Sequence, residues 1–217
     1  MKIINFNESD SVLNQYVAEI RDVNVQNDRL RFRRNIERIG EVMAYEISKA
    51  LHYSTRSVQT PLGVCDVRVP DSQVVLATIL RAGLPFHQGF LNYFDHAENA
   101  FVSAYRKYKD PLNFDIHIEY IASPSIEGKT LIIADPMLAT GSSMELSFQA
   151  MLTKGTPAEI HIASVIGTRQ AIEYLQKKLP NTDNVTIWCA AVDPALNEHS
   201  YIVPGLGDAG DLAFGEK

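Results

Sequence analysis

Two cysteines in 217 residues, Cys65 and Cys189, are too few for a disulfide framework or a cysteine-based metal cluster. Free thiols in strand-like contexts point to a reducing, cytoplasmic setting. Long apolar runs are also missing. The uninterrupted ones are strand-sized, which excludes a transmembrane helix and predicts no membrane partner. The first residues, Met1-Lys2-Ile3-Ile4-Asn5-Phe6-Asn7-Glu8, turn polar and acidic too soon for a secretory signal. Excess basic charge is absent. A formal net charge of −6 disfavours a dedicated nucleic-acid binder, so anionic ligands must be met by local cations and backbone amides. The six histidines show no metal-ligand spacing, and no Ser-His-Asp or Cys-His set can be argued from their order. Internal repeats and low-complexity stretches are lacking too.

What is present is an ordinary globular composition, 46% apolar and 21% charged, in a length that suggests one domain. Residues 9–20 and 29–51 read as helices; in the second, Leu30, Ile36, Ile39, Met43 and Ile47 recur at near-helical spacing. Gln59 to Val69 alternates as a strand or short hairpin. Val74 to Leu80 is a buried strand, followed by a helix from about Leu84 to Asn92 and a strand from Ala100 to Tyr105. Arg106 to Pro111 reads as a polar turn, and Phe114 to Tyr120 alternates strictly, as a strand with one wet face does. Strand Thr130 to Ala134, a helix to Leu152, strand Glu159 to Ile166, helix Arg169 to Leu179 and strand Val185 to Ala190 complete the series. Such alternation implies right-handed crossovers and a parallel sheet flanked by helices. The Gly- and Pro-rich tail from Asp193 reads as a loop segment. Ligands of such sheets bind beyond the carboxyl ends of the strands, where Arg81, Arg106 and Asp135 all fall.

One of those ends is dense in chemistry: Asp135-Pro136-Met137-Leu138-Ala139-Thr140-Gly141-Ser142-Ser143, between an apolar strand and an amphipathic helix. Backbone N–H groups at a helix start are unpaired, and the helix dipole adds partial positive charge. A phosphate fits there when the side chains are small. The Asp135 carboxylate suits a sugar hydroxyl or a hydrated metal ion beside it. The same segment also fits a plain strand–turn–helix with a Ser142–Glu145 capping box. It is neither a Walker loop, lacking Gly-Lys-Ser/Thr, nor a dinucleotide fingerprint, lacking Gly-x-Gly-x-x-Gly.

Asp-Pro-Met-Leu-Ala-Thr-Gly resembles the phosphoribosyl pyrophosphate (PRPP) loop of uracil phosphoribosyltransferases. Most type I phosphoribosyltransferases carry two adjacent acids there; the uracil enzymes keep the second, as Ala134-Asp135 does here. Ile79-Leu80-Arg81-Ala82-Gly83 resembles the family's pyrophosphate loop, and Asn197 to Asp211 resembles its uracil-binding segment. The match runs in order from about residue 76 to 217, with Ser142-Ser143 where many members have Gly-Ser. The resemblance implies one domain over residues 1–217, with a core of about 70–192 and a hood built from the N-terminal helices and segment 193–217. It implies a homo-oligomer, conversion of uracil and PRPP to uridine monophosphate (UMP) and pyrophosphate, and Mg²⁺ held mainly by PRPP and water. It further implies PRPP contacts from Arg81, Arg106, Asp135 to Ser143 and Asp208, and uracil contacts from Ile202, Gly207, Asp208 and Ala209. Asp208 and Arg106 are then the catalytic candidates, and the stretch from Arg106 to about Lys129 corresponds to the family's flexible arm.

Other features read more plainly. Lys107 and Lys109 fit a solvated turn. The run Arg29, Arg31, Arg33, Arg34 and Arg38 fits a wet helix face or a subunit contact, with Glu37 and Glu41 as ion-pair partners. His199 fits a structural hydrogen bond. Two rival functions stay open at this level: a phosphoribosyltransferase for another base, and a pyrimidine-responsive RNA-binding regulator on the same fold, which only the arginine-rich helix favours.

Overall fold

Thr130-Leu131-Ile132-Ile133-Ala134 is buried at every position, as a strand covered on both faces must be. This strand lies at the middle of the main sheet in the computed structural model, which describes residues 1–108, 114–179 and 182–216. The side chains of residues 104–108, 114–118 and 182 lie outside the description.

In chain order the elements are β1 (Lys2–Asn5), α1 (Val12–Arg21), α2 (Arg29–Ser48), β2 (Tyr53–Thr60), β3 (Gly63–Pro70), β4 (Val74–Leu80), α3 (Gly83–Leu91), β5 (Glu98–Tyr108) and β6 (Phe114–Ala122). Then come β7 (Thr130–Ala134), β8 (Met137–Leu138), α4 (Ser142–Leu152), β9 (Glu159–Thr168), α5 (Arg169–Lys178), β10 (Val185–Asp193), β11 (Ala195–Leu196), β12 (Ile202–Val203) and α6 (Ala209–Phe214). The main sheet runs β1-β10-β9-β7-β4-β5-β6, parallel except for the β5–β6 pair, with β8 added to β9.

Alternate residues of the central strands feed two cores. Leu76, Ile132 and Ala134 face α1, α2, α3 and the C-terminal segment. Val75, Ala77, Leu131 and Ile133 face α4 and α5. Ile36, Ile39, Met43 and Ile47 of α2 are buried as their spacing requires, whereas Leu30 is exposed in the first turn. Helices α2 and α3 approach closely at glycines: a Cβ on Gly89 would lie 2.1 Å from the Glu37 carbonyl oxygen. Among the described residues no helix is long and apolar enough to cross a membrane.

The tail from Asp193 differs from a plain loop. It forms the β11–β12 pair and α6, capped by Asp208. Asp193 ties it down. Its carboxylate accepts from Arg21 Nη1 and Nη2 at 2.8 and 2.7 Å and from the Gly205 N–H at 2.8 Å. Arg33 Nη1 donates to the Ala213 carbonyl at 2.7 Å. The N-terminal helices and the tail thus meet over one end of the sheet.

Those contacts dispose of most of the arginine run. Arg31 forks onto Glu19, whose carboxyl Arg31, Gln15 and Asn35 together hold well below the usual carboxylate range, at about 2. Arg34 pairs with Glu37, and Arg38 donates to Asn35 and lies over the Tyr16 ring. Glu41 is not an arginine partner; it accepts from Asn92. The β2–β3 hairpin is longer than the expected 59–69 and stands as a separate two-stranded sheet, its side chains mostly exposed.

Candidate active site

β4, β7, β9 and β10 all end on one edge of the sheet, and the cores behind them fix where the residues after each strand project. Arg81 follows β4, Asp135 follows β7, and the C-terminal segment folds over both. A cavity of about 430 Å³ opens between them, lined by Arg81 and Ala82, by Asp135, Met137, Ala139 and Ser143, and by residues 200–202 and 207–211.

Asp135 is almost fully buried at the foot of this cavity. Its Oδ1 accepts from the Met137 N–H at 3.3 Å, which holds the loop after β7 in a tight turn. Desolvation pushes its carboxyl up to about 7, only partly opposed by that hydrogen bond. Pro136 and Leu138 serve the scaffold. The Pro136 carbonyl accepts from the N–H groups of Val165 and Ile166, and Leu138 packs into the α4–α5 core.

Gly141 is the N-cap of α4, in the left-handed region at φ +86°. A Cβ there would meet the Tyr174 ring at 2.9 Å and the Ala171 carbonyl at 3.2 Å. Glycine is therefore required by the turn and by the close approach of α5 from behind. The expected Ser142–Glu145 capping box does not form. The N-cap, Gly141, has no side chain to cap α4; Thr140 Oγ1 accepts from the first helical N–H, that of Ser142, at 3.3 Å, and Glu145 pairs with Tyr174. The helix start is left to backbone N–H groups and to the hydroxyls of Thr140, Ser142 and Ser143. Thr168, the N-cap of α5, steadies the turn by donating from Oγ1 to the Ala139 carbonyl at 2.7 Å.

Arg81 points across the cavity. Its Nη2 donates to Asp211 Oδ1 and to the Gly215 carbonyl, both at 3.1 Å, while its Nε is buried without a partner. The Leu80–Arg81 and Val203–Pro204 peptides are cis. Asp208 accepts on Oδ1 from the Asp211 N–H at 3.0 Å and otherwise faces solvent. Ile202, Gly207 and Ala209 line the opposite wall.

Of the expected contacts, Arg81, Asp135, Met137, Ala139, Ser143, Ile202, Gly207, Asp208 and Ala209 share the cavity. Pro136, Leu138, Thr140, Gly141 and Ser142 lie behind or beside it. The Arg106 backbone belongs to β5, but its side chain, like that of Lys107, lies outside the described residues, as does all of Lys109. Asp211 and Asn197 delimit the expected uracil-binding segment, but neither was expected to have a role of its own. Asn197 Oδ1 accepts from the N–H groups of His199 and Tyr201, so it, rather than the exposed His199 ring, organises that turn. An asparagine opening a Gly/Pro-rich segment is the sequence signal that marks such a role.

Among the described residues no group of three or more His, Cys, Asp or Glu is placed to hold a metal ion. Three carboxylates, Asp135, Asp208 and Asp211, line the cavity singly.

An acid at the end of β7, a small-residue turn into a helix and an arginine, all beyond the carboxyl edge of a mostly parallel sheet flanked by helices, give the chain the architecture of the type I phosphoribosyltransferases. A hypoxanthine phosphoribosyltransferase from Staphylococcus aureus shares the fold (TM-score 0.52, 14% identity, covering 86% of this chain and 83% of that one). A solved structure from Aquifex aeolicus superposes with a TM-score of 0.87 at 28% identity over 98% of both chains. The family model for uracil phosphoribosyltransferase matches residues 8–216. Curated uracil phosphoribosyltransferases from Porphyromonas gingivalis and Methanothermobacter thermautotrophicus are 69% and 39% identical, covering 100% and 87% of this chain and 100% and 85% of their own. The chain belongs to the uracil phosphoribosyltransferase family.

Proposed function

We propose that this protein transfers the 5-phosphoribosyl group of PRPP to N1 of uracil, releasing UMP and pyrophosphate. The observation that carries the reading is that one cavity joins the α4 turn, Asp135, Arg81 and the Gly-rich segment 207–211. Each part suits one piece of the substrates. N–H groups and hydroxyls at residues 140–143 suit the 5′-phosphate. Asp135, once ionised, accepts from the ribose hydroxyls. Arg81 suits the pyrophosphate oxygens, which its planar fork matches. Bare backbone at Ile202, Gly207 and Ala209 suits the edge of a flat base with two donors and two acceptors. Arg106, by the family resemblance, adds a second cation for pyrophosphate.

In the transfer, the bond from ribose C1 to the pyrophosphate oxygen breaks as the bond to N1 forms, and the N1 proton is lost during or after attack. Uracil N1 is a weak acid and C1 is strongly electrophilic, so Asp208 serves better to orient PRPP than to remove that proton. The chain's work is alignment, neutralisation of the leaving group and exclusion of water. The isolated carboxylates fit Mg²⁺ that keeps its waters and takes most of its ligands from the substrate; Asp208 and Asp211 would hold it through water. When bound, it supplies charge neutralisation at the pyrophosphate.

Residues 1–217 act as one unit in this reading, since the hood supplies the base-reading wall. An isolated two-stranded hairpin is marginal in water, so the exposed β2–β3 hairpin supports assembly into a homo-oligomer. The acidic balance and the intramolecular partners of the arginine run support a cytoplasmic enzyme rather than an RNA-binding regulator. Incubation with uracil, PRPP and Mg²⁺ tests the reading: stoichiometric UMP and pyrophosphate are expected, and their absence would overturn it.

A further inference from the structure

Glu145 is an acid in the first turn of α4. There it would compete with a bound phosphate for the same N–H groups and the same end of the helix dipole. It does not turn back toward them. Its Oε2 accepts from the Tyr174 hydroxyl of α5 at 2.5 Å. The Tyr174 ring stands behind the turn, where a Cβ on Gly141 would lie 2.9 Å from its Cδ1. Lys178, one turn further along α5, places Nζ 5.9 Å from the ring centroid. The bond to Glu145 also raises the phenol above its ordinary pKa. The start of α5, the helix that carries the ring in its second turn, is fastened to the cradle through Thr168 Oγ1 and the Ala139 carbonyl. Neither Tyr174 nor Glu145 lines the cavity.

We propose that Tyr174 is a positioning residue of the phosphate cradle: it draws the Glu145 carboxylate toward α5 and leaves the start of α4 open to the 5′-phosphate. The proposal rests on the phosphoribosyl-transfer reading for its ligand, and on geometry alone for the arrangement.

Tyr174→Phe keeps the ring behind Gly141 and removes the hydroxyl, with its bond to Glu145 and its contact with the Ser142 side chain. The freed carboxylate should weaken PRPP binding by about three- to tenfold, as a charge at a helix start does. The KM for PRPP rises while kcat at saturation and the KM for uracil hold. The defect shrinks as salt is added, because it is electrostatic. Adding Glu145→Gln to the Phe variant restores binding, since the offending charge is gone. A structural role for Tyr174 would instead lower the melting temperature of both variants with no rescue by Gln.

Calorimetry of the full-length protein with ribose 5-phosphate as probe separates this proposal from the reading beneath it. Tight binding by wild type, weaker binding by Tyr174→Phe and recovery in the double variant support the proposal. Equal affinity in wild type and Tyr174→Phe, or a loss that Glu145→Gln fails to recover, would overturn it. The supporting pattern in a protein that forms no UMP would uphold the role of Tyr174 and overturn the transfer reading alone.

Discussion

Arg81 at the end of β4 and Asp211 on α6, 130 residues apart in the chain, meet across the cavity at 3.1 Å. Both side chains are more than a third exposed, so the pair adds little stability and is cheap to exchange. A pyrophosphate, with more charge and two or more oxygens in reach, outcompetes one carboxylate for the guanidinium. Arg81→Ala should therefore leave the fold within about 1 kcal/mol of wild type. Turnover should fall roughly a hundred- to a thousandfold, the usual loss when one preorganised contact to developing charge is removed. Thermal melts and steady-state rates at saturating PRPP and Mg²⁺ check both halves; near-normal rates would make Arg81 a surface residue.

Asp208→Asn separates two roles of one side chain. Asparagine caps a helix as well as aspartate, so α6 and the backbone beside uracil should persist. The charge is lost, and the rate should drop with a weakened dependence on PRPP and Mg²⁺. If those dependences are unchanged and only a carboxylate-like limb of the pH profile disappears, Asp208 is the general base instead.

Gly141→Val would meet α5 rather than the ligand, because the Cβ direction at residue 141 leads into Tyr174 and the Ala171 carbonyl. The left-handed backbone alone costs a side-chain-bearing residue about 1–2 kcal/mol. The expected outcome is a lower melting temperature together with weaker PRPP binding, read by calorimetry on the folded fraction. Gly141→Ala should show the same pair of effects in milder form. Full stability with lost affinity would show that residue 141 faces the phosphate directly.

Asp135 sets a pH dependence. In the free protein its carboxyl stands at about 7, above the ordinary 3.8, because burial disfavours the charged form. The stability it contributes is complete below about pH 4 and is lost as pH rises through about 7. Asp135→Asn should flatten this part of the stability curve, with the variant gaining on wild type between about pH 4 and 7. Chemical denaturation at several pH values measures it. Parallel curves would mean that Asp135 is ionised throughout.

The buried strands could be read from the chain because each is an apolar run between polar turns; Val74 to Leu80 and Thr130 to Ala134 lie where that pattern puts them. β1 was not legible. Four residues, Lys-Ile-Ile-Asn, carry no period, and they are a strand only because β10 offers them an edge. The last residues of β5, Arg106 to Tyr108, look like a polar turn and are extended by pairing with β6. In the site, Asp135, Arg81 and Asp208 were found from their strand ends and motif. The roles of Asp211, Tyr174 and Thr168 were not, since each depends on a neighbour far away in sequence. Glu145 reads as a capping-box partner until α5 supplies a better donor.

The most direct test of the account is base selectivity. The protein is incubated with PRPP and Mg²⁺ and, in separate reactions, uracil, hypoxanthine, guanine and orotate, and the nucleotide and pyrophosphate formed are quantified. The account predicts UMP and equimolar pyrophosphate from uracil, with the other bases converted at a small fraction of that rate. Comparable turnover of any other base, or no UMP from uracil, would contradict it.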